Sequence, residues 1–243
     1  MRAMIFAAGL GTRLRPLTDT LPKALVPVGG RPLIDITIEH LKQAGVTEFV
    51  VNIHHFAKKI TDHLSESKHG VKIIISDESD CLLDTGGGLK KALPLFSSDS
   101  RPILIHNVDI LSNADLASFY SGFHNAEAHL LVSSRPTKRY LLFDTDMRLV
   151  GWTNLETGEV RSPYSHLRVE DCQKFAFSGI HCISPDIADF MDGYPEKFSI
   201  TQFYIDNCHR LTIRGCQVPD LRLLDVGKQE TIRTAEEFLK TVR

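Results

Sequence analysis

Met4-Ile5-Phe6-Ala7-Ala8-Gly9-Leu10-Gly11-Thr12-Arg13 is the stretch that decides the fold of this chain. It opens as a short apolar run of the kind that forms a buried strand, and it breaks in two glycines. Pro16, Pro22-Lys23 and Pro27 follow. Glycine lets a backbone approach an anion closely and aim its N–H groups at it. Arg13 adds a planar fork matched to phosphate oxygens, and Lys23 adds a point charge. A strand that ends in glycines with two cations beyond it predicts a phosphate site. Two common phosphate motifs do not fit. No Gly-Lys-Ser/Thr occurs, which excludes a Walker loop. The dinucleotide fingerprint needs a third glycine where this chain has Leu14, and an acid at a strand end about 20 residues on. Asp35 lies near that spacing, but Pro32–Leu41 has helical apolar spacing and places Asp35 on a helix surface.

Working outward, strands alternate with helices. Helices are predicted over Pro32–Ala44, Lys58–Leu64, Thr85–Leu95 and Leu116–Phe123. Strands are predicted over Glu48–Ile53, Val71–Ile75, Pro102–His106 and His129–Val132. This alternation predicts an α/β, Rossmann-like, doubly wound and mostly parallel sheet with helices on both faces. Ligands of such sheets bind at the carboxyl ends of strands, where the strand order switches. Gly9–Arg13 and Asn107–Asp109 both follow strands and can face one crevice.

The second half reads differently. Tyr140–Phe143 and Leu149–Trp152 flank Asp144-Thr145-Asp146 as a hairpin, Thr153–Ser165 is polar and loop-like, and Lys174–Ile183 reads as a long strand. No linker or repeat separates the halves. The expected organisation is one domain over 1–243, with one lobe over about 1–135, a second over about 136–228 and a C-terminal helix over 229–243.

The 243 residues are 42% hydrophobic, enough for a substantial core. A net charge of −2 without a long basic run argues against nucleic acid or an anionic membrane surface as partner. No apolar stretch reaches the ~20 residues of a membrane span. No signal peptide is expected. The five cysteines are odd in number and lack Cys-x-x-Cys, so free thiols in a reducing cytoplasm are expected.

Ala7-Ala8-Gly9-Leu10-Gly11-Thr12-Arg13-Leu14-x-Pro16-Leu17-Thr18, followed by Pro22-Lys23-x-Leu25-x-Pro27, resembles the signature of the sugar-1-phosphate nucleotidyltransferases. The resemblance extends through Asp84-Thr85-Gly86-Gly87-Gly88, Asn107-Val108-Asp109, Phe177-Ser178-Gly179-Ile180 and Asp225-Val226-Gly227. Within the family the chain looks most like short single-domain members, the N-acetylmuramate-1-phosphate uridylyltransferases and the mannose- or heptose-1-phosphate guanylyltransferases. The resemblance implies transfer of a nucleoside monophosphate from a nucleoside triphosphate to a sugar-1-phosphate, with Mg²⁺ as cofactor.

The resemblance also implies roles. Arg13 would hold the β- and γ-phosphates and Lys23 the α-phosphate. Asp109 and Asp225 would ligate the metal. Ala7, Ala8, Gly9, Gly11, Thr12, Thr85, Gly86 and Gly87 would lie against the nucleotide, the glycine run reading base edges through its backbone. Asn107, Ser178 and Gly179 would lie beside the sugar, and the second lobe would form the sugar side of the cleft. Glu78 and Asp84 are further candidates near the base. For Asp109 the residues alone agree, since a carboxylate straight after a buried strand belongs at the cleft.

Departures from the family pattern are Val108, where glycine is usual, His106 before Asn107, and Lys228 after Asp-Val-Gly. Valine there is expected to cost backbone freedom and add bulk near the metal. The sequence favours uridylyl transfer to an amino-sugar phosphate such as N-acetylmuramate-1-phosphate. Guanylyl transfer to mannose- or heptose-1-phosphate and a non-catalytic nucleotide-sugar sensor remain alternatives, and the oligomeric state stays open. Asp144-Thr145-Asp146 reads as a hairpin tip, His54-His55 as strand neighbours on opposite faces and so poor co-ligands, and Asp35 as solvated. The histidines show no zinc spacing.

Overall fold

Arg2–Phe6 form β1, and all five residues are buried. Alternate side chains leave opposite faces: Ala3 and Ile5 enter one core, Met4 and Phe6 another. A strand buried on both faces needs no polar positions, so Ala3–Phe6 is a continuous apolar run, while the buried Arg2 at its start is bonded to the Ser97, Asp99 and Arg101 carbonyls. The computed structural model describes residues 1–67 and 69–241, arranged around this strand.

A short ribbon of β2 (Pro27–Val28) and β3 (Arg31–Pro32) follows, then α1 (Leu33–Gln43), β4 (Glu48–Ile53), α2 (Ala57–Glu66), β5 (Lys72–Asp77) and α3 (Asp84–Ala92). Next come β6 (Ile103–Asn107), β7 (Ile110–Ser112), α4 (Leu116–Ser121) and β8 (Ala128–Ser133). The second half holds β9 (Arg139–Phe143), β10 (Leu149–Asn154), β11 (Val160–Arg161) and β12 (Gln173–Ile183). It ends with α5 (Ile200–Asn207), β13 (Ile213–Gln217), β14 (Leu223–Asp225) and α6 (Thr231–Thr241).

The main sheet runs β11-β10-β9-β12-β6-β1-β4-β5. The strands β6, β1, β4 and β5 are parallel, as the sequence predicts. The long β12 runs antiparallel to β6 and to β8, and β13 lies parallel to β8. The start of β12 pairs instead with β9, which joins the predicted hairpin to the sheet. Ile34, Ile38 and Leu41 of α1 and Ile60 of α2 pack with Ala3 and Ile5. Leu89 and Ala92 of α3 and Phe203 and Tyr204 of α5 pack with Met4 and Phe6 on the other face.

From β1 the chain winds outward to β4 and β5, then returns past β1 to β6. The β1/β6 boundary is therefore a topological switch point, and a crevice opens beyond the carboxyl ends of these strands. Phe6 pairs with Asn107, so the loops starting at Ala7 and Val108 emerge side by side.

Small differences from the sequence reading have local causes. The expected loop over Thr153–Ser165 contains β11, whose Val160 and Arg161 pair with Thr153 and Trp152. His54-His55 follow the end of β4 and stand in a turn, with His54 Nδ1 2.6 Å from the Glu78 carbonyl. The C-terminal helix begins at Thr231, and Val242 and Arg243, which the sequence reading included in it, lie outside the described residues.

Candidate active site

At the switch point a cavity of about 390 Å³ is lined by Phe6, Ala8, Gly9, Lys23, Asn52, Glu78, Leu82, Asp84, Thr85, Asn107, Val108, Asp109 and Lys197. The Lys23 ammonium donates to the Asp109 carboxylate, and the two side chains are only 11% and 14% exposed. Asp225 reaches the same place from β14. The pairing of Asp225 with Ile110 sets that strand beside β7, and the Val226 N–H donates to the Asp109 carbonyl at 2.8 Å.

Arg13 closes the group from the other side. A Cβ on Gly227 would stand 2.6 Å from an Asp225 carboxylate oxygen and 2.7 Å from the Arg13 guanidinium. Glycine at 227 is what allows that approach. Arg13, Lys23, Asp109 and Asp225 therefore meet, although they come from four separate segments.

Partial burial, and next to it the Asp109 charge, push the Asp225 carboxyl above its usual range, against the pull of Lys23 and Arg13. Two carboxylates and two cations thus crowd a partly buried space. A pair of hard oxygen donors facing one another in this state fits a divalent ion such as Mg²⁺, which binds through one or two carboxylates plus phosphate oxygens.

The floor of the cavity is a hydrogen-bond chain. Ala7 N–H donates to Asn52 Oδ1 at 2.8 Å, Asn52 Nδ2 donates to Glu78 Oε1 at 2.7 Å, and Leu83 N–H donates to Glu78 Oε2 at 3.2 Å. It ties β1, β4 and the segment after β5 into one surface. Burial raises the Glu78 carboxyl, while its bonds to Asn52 and Leu83 pull it down. Ala8 is buried, whereas Gly9 faces open space. Gly11 adopts a left-handed conformation at φ 64° and Thr12 is exposed.

The triple glycine has a packing role. The Gly86 and Gly87 N–H groups both donate to the Phe198 carbonyl, at 2.8 and 3.2 Å. A Cβ on Gly86 would run into the Phe198 ring, and one on Gly87 into the Glu196 backbone. These two N–H groups are engaged within the protein, because a chain segment passes directly over the first turn of α3. Thr85 lines the cavity, and its hydroxyl accepts from Ile200 N–H at 3.0 Å.

On β12, Gly179 has φ 77° and lies against the Asn107 amide, where a Cβ would come within 2.6 Å of Asn107 Nδ2. Ser178 points the other way: it is 2% exposed, and its hydroxyl donates to the Leu131 carbonyl at 2.6 Å. Val108 is accommodated without strain. Its side chain is buried in the core, its N–H donates to the Phe6 carbonyl at 3.1 Å, and it is not among the positive-φ residues. His106 is fully buried beneath, and burial pushes it down to about 4, so it is neutral. Lys228 is exposed and stands 3.6 Å from Glu230.

Sequence reasoning missed Asn52 and Lys197. Asn52 had a signal, being a lone amide in the apolar strand Phe49-Val50-Val51-Asn52-Ile53. Lys197 had none, since its place follows from the contact of Phe198 with Gly86. Asp35 is less solvated than expected. His63 and His69 approach it at 2.8 and 3.5 Å, away from the crevice.

The family model described as nucleotidyl transferase matches residues 2–145. The chain belongs to this family. An N-acetylmuramate alpha-1-phosphate uridylyltransferase of Caulobacter vibrioides is 36% identical over 203 residues, 79% of this chain and 78% of that protein. A protein of the same name from Neisseria meningitidis is 43% identical over 131 residues, 54% of this chain and 56% of its own length. A mannose-1-phosphate guanyltransferase of Schizosaccharomyces pombe is 32% identical over 202 residues, 80% of this chain and 53% of its own length. The chain thus spans little more than half the length of the last two. The inositol-1-phosphate CTP transferase from T. maritima shares the fold with a TM-score of 0.80 at 16% identity, covering 99% of this chain and 95% of that one. Among the described residues, no helix is long and apolar enough to cross a membrane.

Proposed function

We propose that the protein transfers a nucleoside monophosphate from a nucleoside triphosphate to a sugar-1-phosphate, releasing pyrophosphate, with UTP and an amino-sugar phosphate such as N-acetylmuramate-1-phosphate as substrates. The observation that carries this reading is the meeting of Arg13, Lys23, Asp109 and Asp225 beside an open glycine loop. The choice of UTP and an amino sugar leans on the two uridylyltransferase relatives.

In the reaction a sugar phosphate oxygen attacks the α-phosphorus, the bond to the bridging oxygen breaks, and pyrophosphate leaves. No covalent nucleophile is needed. The protein aligns the reactants and neutralises charge. Arg13 holds the β- and γ-phosphates. Lys23 exchanges its partner Asp109 for the α-phosphate, where charge grows in the transition state. Asp109 and Asp225 would hold Mg²⁺, which when bound would supply charge neutralisation at the phosphate oxygens. Gly9 and Thr12 present backbone to the triphosphate, and Asn107 with Gly179 borders the sugar. In this reading residues 1–135 serve the nucleotide, 136–228 the sugar, and the free cysteines suit a reducing cytoplasm.

The guanyltransferase relative favours a second reading, GTP with mannose- or heptose-1-phosphate. A panel of the four triphosphates against these sugar phosphates, followed by pyrophosphate release, tests both. Release only with UTP and the amino sugar supports the first, and release only with GTP supports the second. Nucleotide binding without release for any pair would leave a sensor.

A further inference from the structure

A second cavity, of about 410 Å³, opens between β9, β10 and the start of α5. Arg135, Arg139 and Arg161 line it, no acidic side chain does, and Trp152, Leu141 and Phe177 supply apolar wall. Arg161 stacks over the Trp152 ring at 5.0 Å and pairs with Glu159, which lies outside the lining, at 2.7 Å. Arg135 donates to the Phe177 carbonyl at 3.3 Å. The Arg139 guanidinium has no carboxylate partner among the described residues. The α5 helix starts here as well, with its N-terminal positive end at Ser199 and Thr201.

This cavity adjoins the catalytic one along two segments. Phe177 precedes Gly179, which touches Asn107, by two residues of β12, so their Cα atoms lie within about 7 Å of each other. Lys197 lines the first cavity and Ser199 the second, and Ile200 is bonded to Thr85 between them. A sugar whose phosphate lies at Asn107 and Asp109 therefore extends toward the arginines.

We infer that this arginine-lined cavity selects a sugar-1-phosphate bearing a second anionic group, a carboxylate on the sugar, with Arg139 as its principal partner. Arg161 already has Glu159 and Arg135 a carbonyl partner, which leaves the Arg139 guanidinium to pair with a carboxylate that accepts its planar fork. A neutral sugar offers no such partner. The inference rests on the sugar-phosphate reading above and adds the residues that choose the sugar.

N-acetylglucosamine-1-phosphate and N-acetylmuramate-1-phosphate differ by a carboxylate-bearing ether and make the comparison. Two readouts apply: kcat/KM from pyrophosphate release, and quenching of Trp152, the single tryptophan. The wild type is expected to favour the acidic sugar at least tenfold in both. Arg139→Gln, a change at an exposed position, is expected to cut that preference about tenfold through KM, and Arg139→Lys to restore part of it. An unchanged preference in Arg139→Gln, or equal loss for both sugars, overturns the inference while the reaction stands. Absence of pyrophosphate release with every pair overturns the reaction instead. Trp152 quenching then decides the cavity alone: a preference for the acidic sugar that Arg139→Gln removes supports it, and equal or absent quenching contradicts it.

Discussion

The Val226 N–H donates to the Asp109 carbonyl at 2.8 Å. That bond extends the pairing of β14 with β7 by one step and fixes the two acidic loops against each other. The proposed chemistry depends on this junction, since neither aspartate alone is more than a post-strand carboxylate.

Asp109→Asn keeps the shape of the side chain and removes its charge. Turnover is expected to fall roughly 10²–10³-fold, with triphosphate affinity changing far less. Steady-state rates alongside a direct nucleotide titration check this, and wild-type turnover at saturating Mg²⁺ would defeat the metal assignment.

Lys23→Ala tests where the ammonium acts. Contact with the α-phosphate in the transition state means that kcat drops. A rise in the triphosphate KM with kcat intact would place Lys23 in ground-state binding.

Gly86→Ala drives a methyl into the Phe198 ring. Overpacking of this kind costs about 1–3 kcal/mol, so a lowered melting temperature is expected. An unchanged melting curve would show that the segment over α3 is loose and that the glycine serves something other than close packing.

His181 is fully buried, and burial, with the neighbouring His106 second, pushes it down to about 3. Both its ring nitrogens lack hydrogen-bond partners among the described residues. Unfolded histidine titrates near 6.5, so below that pH the unfolded chain takes up a proton that the folded chain refuses. Stability is therefore lost as pH falls from about 6.5 toward 3, by ~1.4 kcal/mol per unit for this one residue. His181→Leu is expected to gain on the wild type steadily between pH 7 and 5 in denaturant titrations. A constant difference across that range would contradict the neutral buried state.

The first half of the fold was legible because its strands are buried on both faces and its helices carry apolar stripes. Both patterns survive in the sequence without knowledge of the partners. Asp109 was legible for a related reason, since a carboxylate directly after a buried strand belongs at the crevice, while Arg13 and Lys23 were read as cations beyond a strand that breaks in glycines. Asp225 was reached only through resemblance, because its position depends on a pairing with Ile110 that no local pattern encodes. The packing of the glycine run was not legible, because a helix start that binds a ligand and one that packs under a crossing chain use the same residue. Ser178 shows the same ambiguity on β12, where a single turn of the strand decides between crevice and core. Lys197 and the three arginines of the second cavity come together only through tertiary contacts.

The most direct test of the central claim, that Arg13, Lys23, Asp109 and Asp225 form one site for nucleotidyl transfer, is steady-state pyrophosphate release from UTP and N-acetylmuramate-1-phosphate. It is measured for the wild type with and without Mg²⁺ and for Asp225→Asn. Release that needs both substrates and Mg²⁺, and that falls at least a hundredfold in Asp225→Asn, is the expected result. Full release from Asp225→Asn, or release indifferent to Mg²⁺, would contradict it.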